Sequence, residues 1–186
     1  MMSTQPRAIV LFADGFEEVE AVTPVDFLRR AGIETHMVGV TDRDVIGSRG
    51  IRMTTDYTLD ELEGAVEAVI LPGGMSGAQN LAASGEVAEL LQGQFAAGRL
   101  VAAICAAPAV VLSAQGYLKG RRFTCFPGLE QKVTDGQFCE DRVVIDDNLI
   151  TSRGAGTAAE FACEIIRRLS GDEAAGKVHT STLQKD

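Results

Sequence analysis

Histidine is nearly absent from this chain of 186 residues: there are two, His36 and His179. His36 falls inside a run that reads as a strand and His179 lies near the C-terminus. Catalysis through an imidazole base is therefore disfavoured. Paired cysteines are missing as well. The four thiols, Cys105, Cys125, Cys139 and Cys163, show none of the C-x-x-C spacing of a zinc site or a redox dithiol, so neither a structural metal nor a disulfide framework is expected. No apolar run approaches the ~20 residues needed to span a bilayer, and Met1 to Arg7 carries no apolar leader core. A cytoplasmic protein with no membrane partner is the expectation. Blocks of Lys and Arg are absent, and the net charge is −9. Phosphate contacts require clustered cations, so nucleic acid is not an expected partner.

Aromatic residues make up 5% of the chain while glycine occurs 20 times, a balance that suits an α/β protein with many tight turns better than an all-β sandwich. Apolar content of 46% over this length supports one domain spanning 1–186, and no linker, repeat or low-complexity segment divides it.

Short β-branched runs alternate with amphipathic stretches, the pattern that a parallel sheet with helical crossovers imposes. Arg7 to Ala13 reads as a strand and Glu17 to Ala31 as a helix closed by Gly32. Ile33 to Val40 is the next strand. A polar connection from Thr41 to Gly50 leads to an antiparallel excursion around Ile51 to Thr54, then a helical turn over Leu59 to Leu62. Val66 to Leu71 is a buried strand ending at Pro72-Gly73-Gly74. Ser84 caps a helix that runs to Ala97 and stops at Gly98. Leu100 to Ile104 is a strand and Ala106 to Leu112 a helix. Arg142 to Ile145 and Asn148 to Thr151 are late strands joined at Asp146-Asp147, and Thr157 to Leu169 is a helix, followed by a shorter one over Asp172 to His179.

Cys105 sits between the run Leu100 to Ile104 and the run from Ala106, with small residues on both sides. That is the pattern of a nucleophile elbow, a sharp strand-to-helix turn that lifts a reactive side chain above the sheet. At the positive end of a helix its thiol is expected to be partly ionised at neutral pH. In an open α/β sheet the loops after the strands build the site. Those loops bring together Asp14 to Glu20, Pro72-Gly73-Gly74 and Cys105-Ala106. Gly73 and Gly74, aided by Ala106, can offer backbone N–H groups to an oxyanion. Glu17 and Glu20 share a helix face and Glu18 is turned away from both. One of the pair, buried against the thiol, would have a raised pKa and remain protonated as a donor. For Glu17 and Glu18 a solvated face at the helix start is the expected role. Cys125 and Cys163 read as small buried hydrophobes.

Four segments, Glu17-Glu18-Val19-Glu20, Leu71-Pro72-Gly73-Gly74, Ala103 to Pro108 and Thr151 to Thr157, resemble in order and spacing the signature segments of the ThiJ/PfpI superfamily, and more narrowly its DJ-one branch. The resemblance implies a flavodoxin-like three-layer sandwich, a mostly parallel sheet with helices on both faces, assembled as a homodimer. It implies Cys105 as the reactive cysteine, Glu20 as its hydrogen-bonding acid, and Gly74 and Ala106 as the oxyanion amides. Asp26 matches an aspartate on the same helix, and Arg49 an arginine that approaches the site across the dimer interface. The implied activity needs no cofactor, glutathione or metal. It is conversion of methylglyoxal, glyoxal or their early glycated adducts to 2-hydroxy acids, a glyoxalase or deglycase role in carbonyl and oxidative stress protection. The same resemblance also implies a second class of function, redox sensing with chaperone-like activity switched by oxidation of Cys105 to sulfinate. Relatives that use an active-site histidine keep it after the cysteine or just before a proline equivalent to Pro127. Here those places hold Ala106 and Phe126, so peptidase activity is not expected. For Arg153, a turn residue pairing with a local acid is the expectation ahead of contact with a substrate anion.

Overall fold

A computed structural model describes residues 6–185. Of the N-terminal segment read above for a leader, residues 1–5 lie outside the described residues. Eleven strands and four helices follow in the order β1 (Arg7–Phe12), α1 (Glu18–Arg30), β2 (Glu34–Gly39), β3 (Asp44–Ile46), β4 (Arg52–Thr54), β5 (Tyr57–Thr58), β6 (Ala68–Leu71), α2 (Met75–Ala83), α3 (Gly85–Ala96), β7 (Leu100–Ile104), β8 (Arg122–Phe123), β9 (Gln137–Phe138), β10 (Val143–Asp146), β11 (Leu149–Ser152) and α4 (Ala158–Ser181). Seven strands form one sheet in the order β10-β11-β7-β6-β1-β2-β5. Every pairing in it is parallel except β10 with β11.

Successive side chains of the central strands supply opposite faces of the sheet. Ala8, Val10, Phe12, Ile70, Ala102 and Ile104 pack with Phe27 and Leu28 of α1 and Phe161 and Ile165 of α4. Ile9, Leu11, Val69, Leu71 and Val101 pack with Leu81 of α2 and Leu91 of α3. Both faces are covered, which is why these strands, Arg7 at the start of β1 apart, are apolar along their length. Full burial of a side chain such as Phe161 or Leu91 stabilises the fold by about 1.5–3 kcal/mol. The expected α/β architecture, a mostly parallel sheet between two helical layers, is the architecture found.

Register sets the site. Leu71 lies beside Ala103, and Ile104 beside Ser152, so the chain leaves β6, β7 and β11 at one level, next to the loop that follows β1.

Local readings shift where tertiary contacts compete. The Thr41 to Gly50 connection contains β3, because Asp44, Val45 and Ile46 pair antiparallel with β4. Helix α2 begins directly after Gly74, a stretch whose pattern predicts no helix: its small residues Gly77 and Ala78 are buried, Gly77 against the Gly15 and Phe16 backbone, and give little periodic signal. Ser84 caps α3 as expected, accepting the Val87 N–H at 3.2 Å. The two C-terminal helices form one run, α4, interrupted at Gly171 by φ 86°. The late strands each begin and end one residue later than expected and turn at Asp147, φ 54°.

Candidate active site

Cys105 follows a wholly buried strand and takes φ 63°, one of three non-glycine residues with positive φ among the described residues. That conformation costs an L-residue about 1–2 kcal/mol. Two hydrogen bonds hold it there: Cys105 N–H donates to the Ser152 carbonyl at 2.9 Å, and Phe126 N–H donates to the Cys105 carbonyl at 2.9 Å. The bend is therefore fixed from both sides. Beyond it the chain is helical as expected, with the Val110 N–H donating to the Ala106 carbonyl at 2.9 Å, but it is not a regular α-helix. Pro108–Leu112 is instead a single π-helical turn, in which Ser113 N–H reaches back to the Pro108 carbonyl at 3.0 Å. Pro108, at its start, has no N–H to give to an earlier carbonyl.

Glu20 is 1% exposed. Its Oε2 accepts the Gly73 N–H at 2.9 Å, and its carboxyl hydrogen-bonds the Cys105 thiol. Gly73 is the contact point of the two: a Cβ at that position would lie 2.5 Å from Glu20 Oε2 and 2.6 Å from Cys105 Cβ. Glu17, expected on a solvated face, is the N-cap of α1 and accepts the Glu20 N–H at 2.8 Å. Burial pushes the Glu20 carboxyl up to about 7, and the nearby Glu17 charge adds to the rise. Bonds from Cys105, Gly73 and Ala155 oppose it.

The thiol does not carry the lowered pKa that its place in the sequence suggests. Burial, then the charge and the bond of Glu20, push Cys105 up to about 12, against the Gly74 and Ala106 amides, which favour the thiolate. Apolar surroundings and a neighbouring carboxylate outweigh two backbone dipoles. The two groups titrate as a pair.

The amides expected at an oxyanion divide. Those of Gly74 and Ala106 face the sulfur, whereas that of Gly73 is committed to Glu20. Gly74 has φ 82°, and a Cβ there would lie 2.3 Å from the Gly15 carbonyl oxygen.

Two residues grouped with the substrate site lie elsewhere within the chain. Asp26 pairs with Arg30 across one turn of α1 at 2.6 Å, on an exposed flank, because six residues of helix carry it about 9 Å beyond Glu20. Arg49 is exposed, and among the described residues its guanidinium has no hydrogen bond or ion pair. Its backbone N–H donates to Glu18 Oε1 at 2.7 Å. Glu18, also expected in solvent, is 6% exposed and takes Ser48 Oγ at 3.2 Å as well. Burial raises its pKa, but bonds from Arg49, its own amide, Ser48 and Ile51 together hold it below the usual carboxylate range. Asp14 turns to the β3–β4 hairpin and accepts the Ile46 N–H at 2.8 Å.

Arg153 donates to the Glu140 carbonyl at 2.8 Å and lies over the Phe138 ring, so its partner is backbone and not the acid expected. His36 is half-buried and bonded to Glu34 at 2.8 Å, and His179 lies in the last turn of α4. Cys125 and Cys163 are buried as read. Cys139 is half-exposed. A groove of about 870 Å³ lined by Asp14, Asp42, Asp44, Asp60, Glu86 and Glu89 does not include Cys105 or Glu20. Phe126 is the site residue whose part the sequence left open. It is 50% exposed, and its ring atoms Cδ2 and Cε2 lie 3.6 and 4.0 Å from the position a Cβ on Gly154 would occupy.

These features define a class: a flavodoxin-like α/β protein with a cysteine on a strained strand-end bend and a buried glutamate bonded to it. The chain belongs to the DJ-1/PfpI family, whose profile matches residues 6–168. It is 41% identical over 186 residues to the Parkinson disease protein 7 homolog of Danio rerio, covering 97% of this chain and 98% of that protein. Protein DJ-1 homolog B of Arabidopsis thaliana is 39% identical over 180 residues, 96% of this chain, and this chain spans only 41% of that protein's length. The glutathione-independent glyoxalase DJR-1.2 of Caenorhabditis elegans is 36% identical over 176 residues, 92% of this chain and 93% of that protein. The crystal structure of Drosophila melanogaster DJ-1beta superposes with a TM-score of 0.95 at 37% identity, covering 98% of this chain and 100% of that one.

Proposed function

We propose that this protein is a glutathione-independent glyoxalase acting on methylglyoxal, glyoxal or their early adducts, with Cys105 as nucleophile and Glu20 as proton shuttle. The observation that carries this reading is the buried Glu20 carboxyl, raised to about 7 and bonded to the Cys105 thiol. A relative at 36% identity that is itself named a glutathione-independent glyoxalase supports it.

The reaction begins when the thiol proton passes to Glu20 and the sulfur adds to the aldehyde carbon. The alkoxide formed points to the Gly74 and Ala106 amides, and Glu20 returns the proton to it. Glu20 then removes the hydrogen on that carbon and delivers it to the adjacent carbonyl carbon through an enediol, the hydroxyl proton of the first carbon passing to the oxygen of the second. The first carbon rises to the acyl level while the second falls from ketone to alcohol, so electrons balance within the substrate. The product is a thioester of a 2-hydroxy acid on Cys105, which water hydrolyses. The same attack on an aminocarbinol or hemithioacetal gives a deglycase outcome, with amine or thiol as leaving group.

The reading includes a cytoplasmic role in carbonyl stress and a homodimer in which Arg49 reaches the thiol niche of the second copy. Exposed Val19 and Val22 on α1 and Ile51 beside the Glu18-bound loop suit such a contact. The test is lactate formation from methylglyoxal, measured for wild type, Cys105→Ser and Glu20→Gln. Wild type indistinguishable from Cys105→Ser would end the enzyme reading.

A second reading, redox sensing through a Cys105 sulfinate, is favoured by the same geometry. The Glu20 proton and the Gly74 and Ala106 amides suit sulfinate oxygens as well as an alkoxide. Mass spectrometry after peroxide treatment decides it: absence of a stable sulfinate on Cys105 would remove it.

A further inference from the structure

We propose that Phe126 is a specificity-determining residue, the wall of a subsite for an apolar and preferentially aromatic substituent on the carbon next to the one Cys105 attacks. The inference rests on the glyoxalase reading and names the substrate class within it.

Phe126 is among the few large apolar side chains left half-exposed, 50%, and the one whose backbone is bonded to the reactive cysteine. That 2.9 Å bond to the Cys105 carbonyl fixes the origin of the side chain relative to the sulfur. The ring direction is given by Gly154. The space a Cβ would fill there lies 3.6 Å from Phe126 Cδ2 and 3.8 Å from Glu20 Oε1, so ring and acid flank one spot left bare by glycine. The other residues at the thiol, Gly73, Gly74 and Ala106, carry little or no side chain. Arg153, next to Gly154 in the chain, is engaged by the Glu140 carbonyl and the Phe138 ring. An oxoaldehyde held by its aldehyde carbon at Cys105 and its second oxygen near Glu20 has its remaining substituent as the part free to meet this ring. Glyoxal presents hydrogen there, methylglyoxal a methyl group and phenylglyoxal a ring. A second ring can cover the exposed Phe126 face, which removes apolar surface from water and adds an aromatic contact.

Two measurements on wild type, Phe126→Ala and Phe126→Tyr test it. The first is kcat/KM for phenylglyoxal against glyoxal. The ratio should fall about tenfold in Phe126→Ala, mostly through KM, and be kept by Phe126→Tyr. The second needs no turnover: the rate of Cys105 alkylation by iodoacetanilide against iodoacetamide, read on the Cys105 peptide by mass spectrometry. That ratio should drop in Phe126→Ala in the same sense. Wild type that alkylates with this preference yet turns over no aldehyde would leave the subsite standing and remove the glyoxalase reading. Ratios unchanged in a folded Phe126→Ala protein would overturn the subsite. So would a change in its sedimentation without a change in either ratio, which would assign the ring to a contact between copies.

Discussion

The Gly73 amide donates to Glu20 Oε2 at 2.9 Å, so the turn after β6 holds the buried carboxyl that faces Cys105. The acid thereby keeps its place through both protonation states. The consequences of this clamp can be measured.

Replacing Glu20 by Gln keeps the shape and removes the titrating proton. Rate of lactate formation should fall by about 10²–10⁴-fold, the range of a general acid-base contribution. Peptide mass spectrometry should still find Cys105 alkylated by iodoacetamide. Loss of both would mean that the site had collapsed.

The raised pKa of Glu20 makes a stability prediction of definite sign. Unfolded, the carboxyl loses its proton near 4.5; folded, it keeps it to about 7. Between these values the native state binds more protons, so its contribution to stability falls as pH rises through that window. Glu20→Gln should therefore gain thermal stability over wild type at pH 8, by up to about 3 kcal/mol, and little at pH 4. Calorimetry at the two pH values checks this, and an equal shift at both would contradict it.

Gly73→Ala places a Cβ 2.5 Å from Glu20 Oε2 and 2.6 Å from Cys105 Cβ. The acid and the thiol must part. A displacement of this kind costs roughly 100-fold in kcat/KM. Titration of the thiol by its absorbance should show a Cys105 pKa lower than in wild type, since the opposing carboxylate has moved away.

Glu18 is an anchor and not a proton donor. Its Oε1 accepts the Arg49 N–H and its Oε2 the Ser48 hydroxyl. Glu18→Ala should cost about 2 kcal/mol and lower Tm by about 4–8 °C. Limited trypsin treatment should cut first after Arg49 or Arg52. The depressed pKa of Glu18 adds stability present above the usual carboxylate range and lost as pH falls below it. The loss of Tm should therefore shrink at low pH.

The strands of the central sheet were legible because both its faces are buried. Leu100 to Ile104 or Val66 to Leu71 can hardly be anything other than an interior strand once Gly and Pro end them. The elbow was legible for the same reason, an apolar strand running into small residues around one thiol. Helix α2 was hidden because Gly77 and Ala78 pack by smallness and not by an apolar stripe. The anchoring parts of Glu17 and Glu18 were hidden because three acids at a helix start look alike in sequence. Whether each one caps, anchors a loop or enters the core depends on what lies opposite.

Local chemistry and apolar patterning alone set the α/β architecture and singled out Cys105. Contacts between distant segments decided the thiol's ionisation. The carboxyl that shifts it arrives from α1, 85 positions earlier in the chain, and the turn that clamps that carboxyl follows β6. A pKa depends on burial and on the charges within a few ångströms, and those distances exist only after the sheet has brought the three loops to one end.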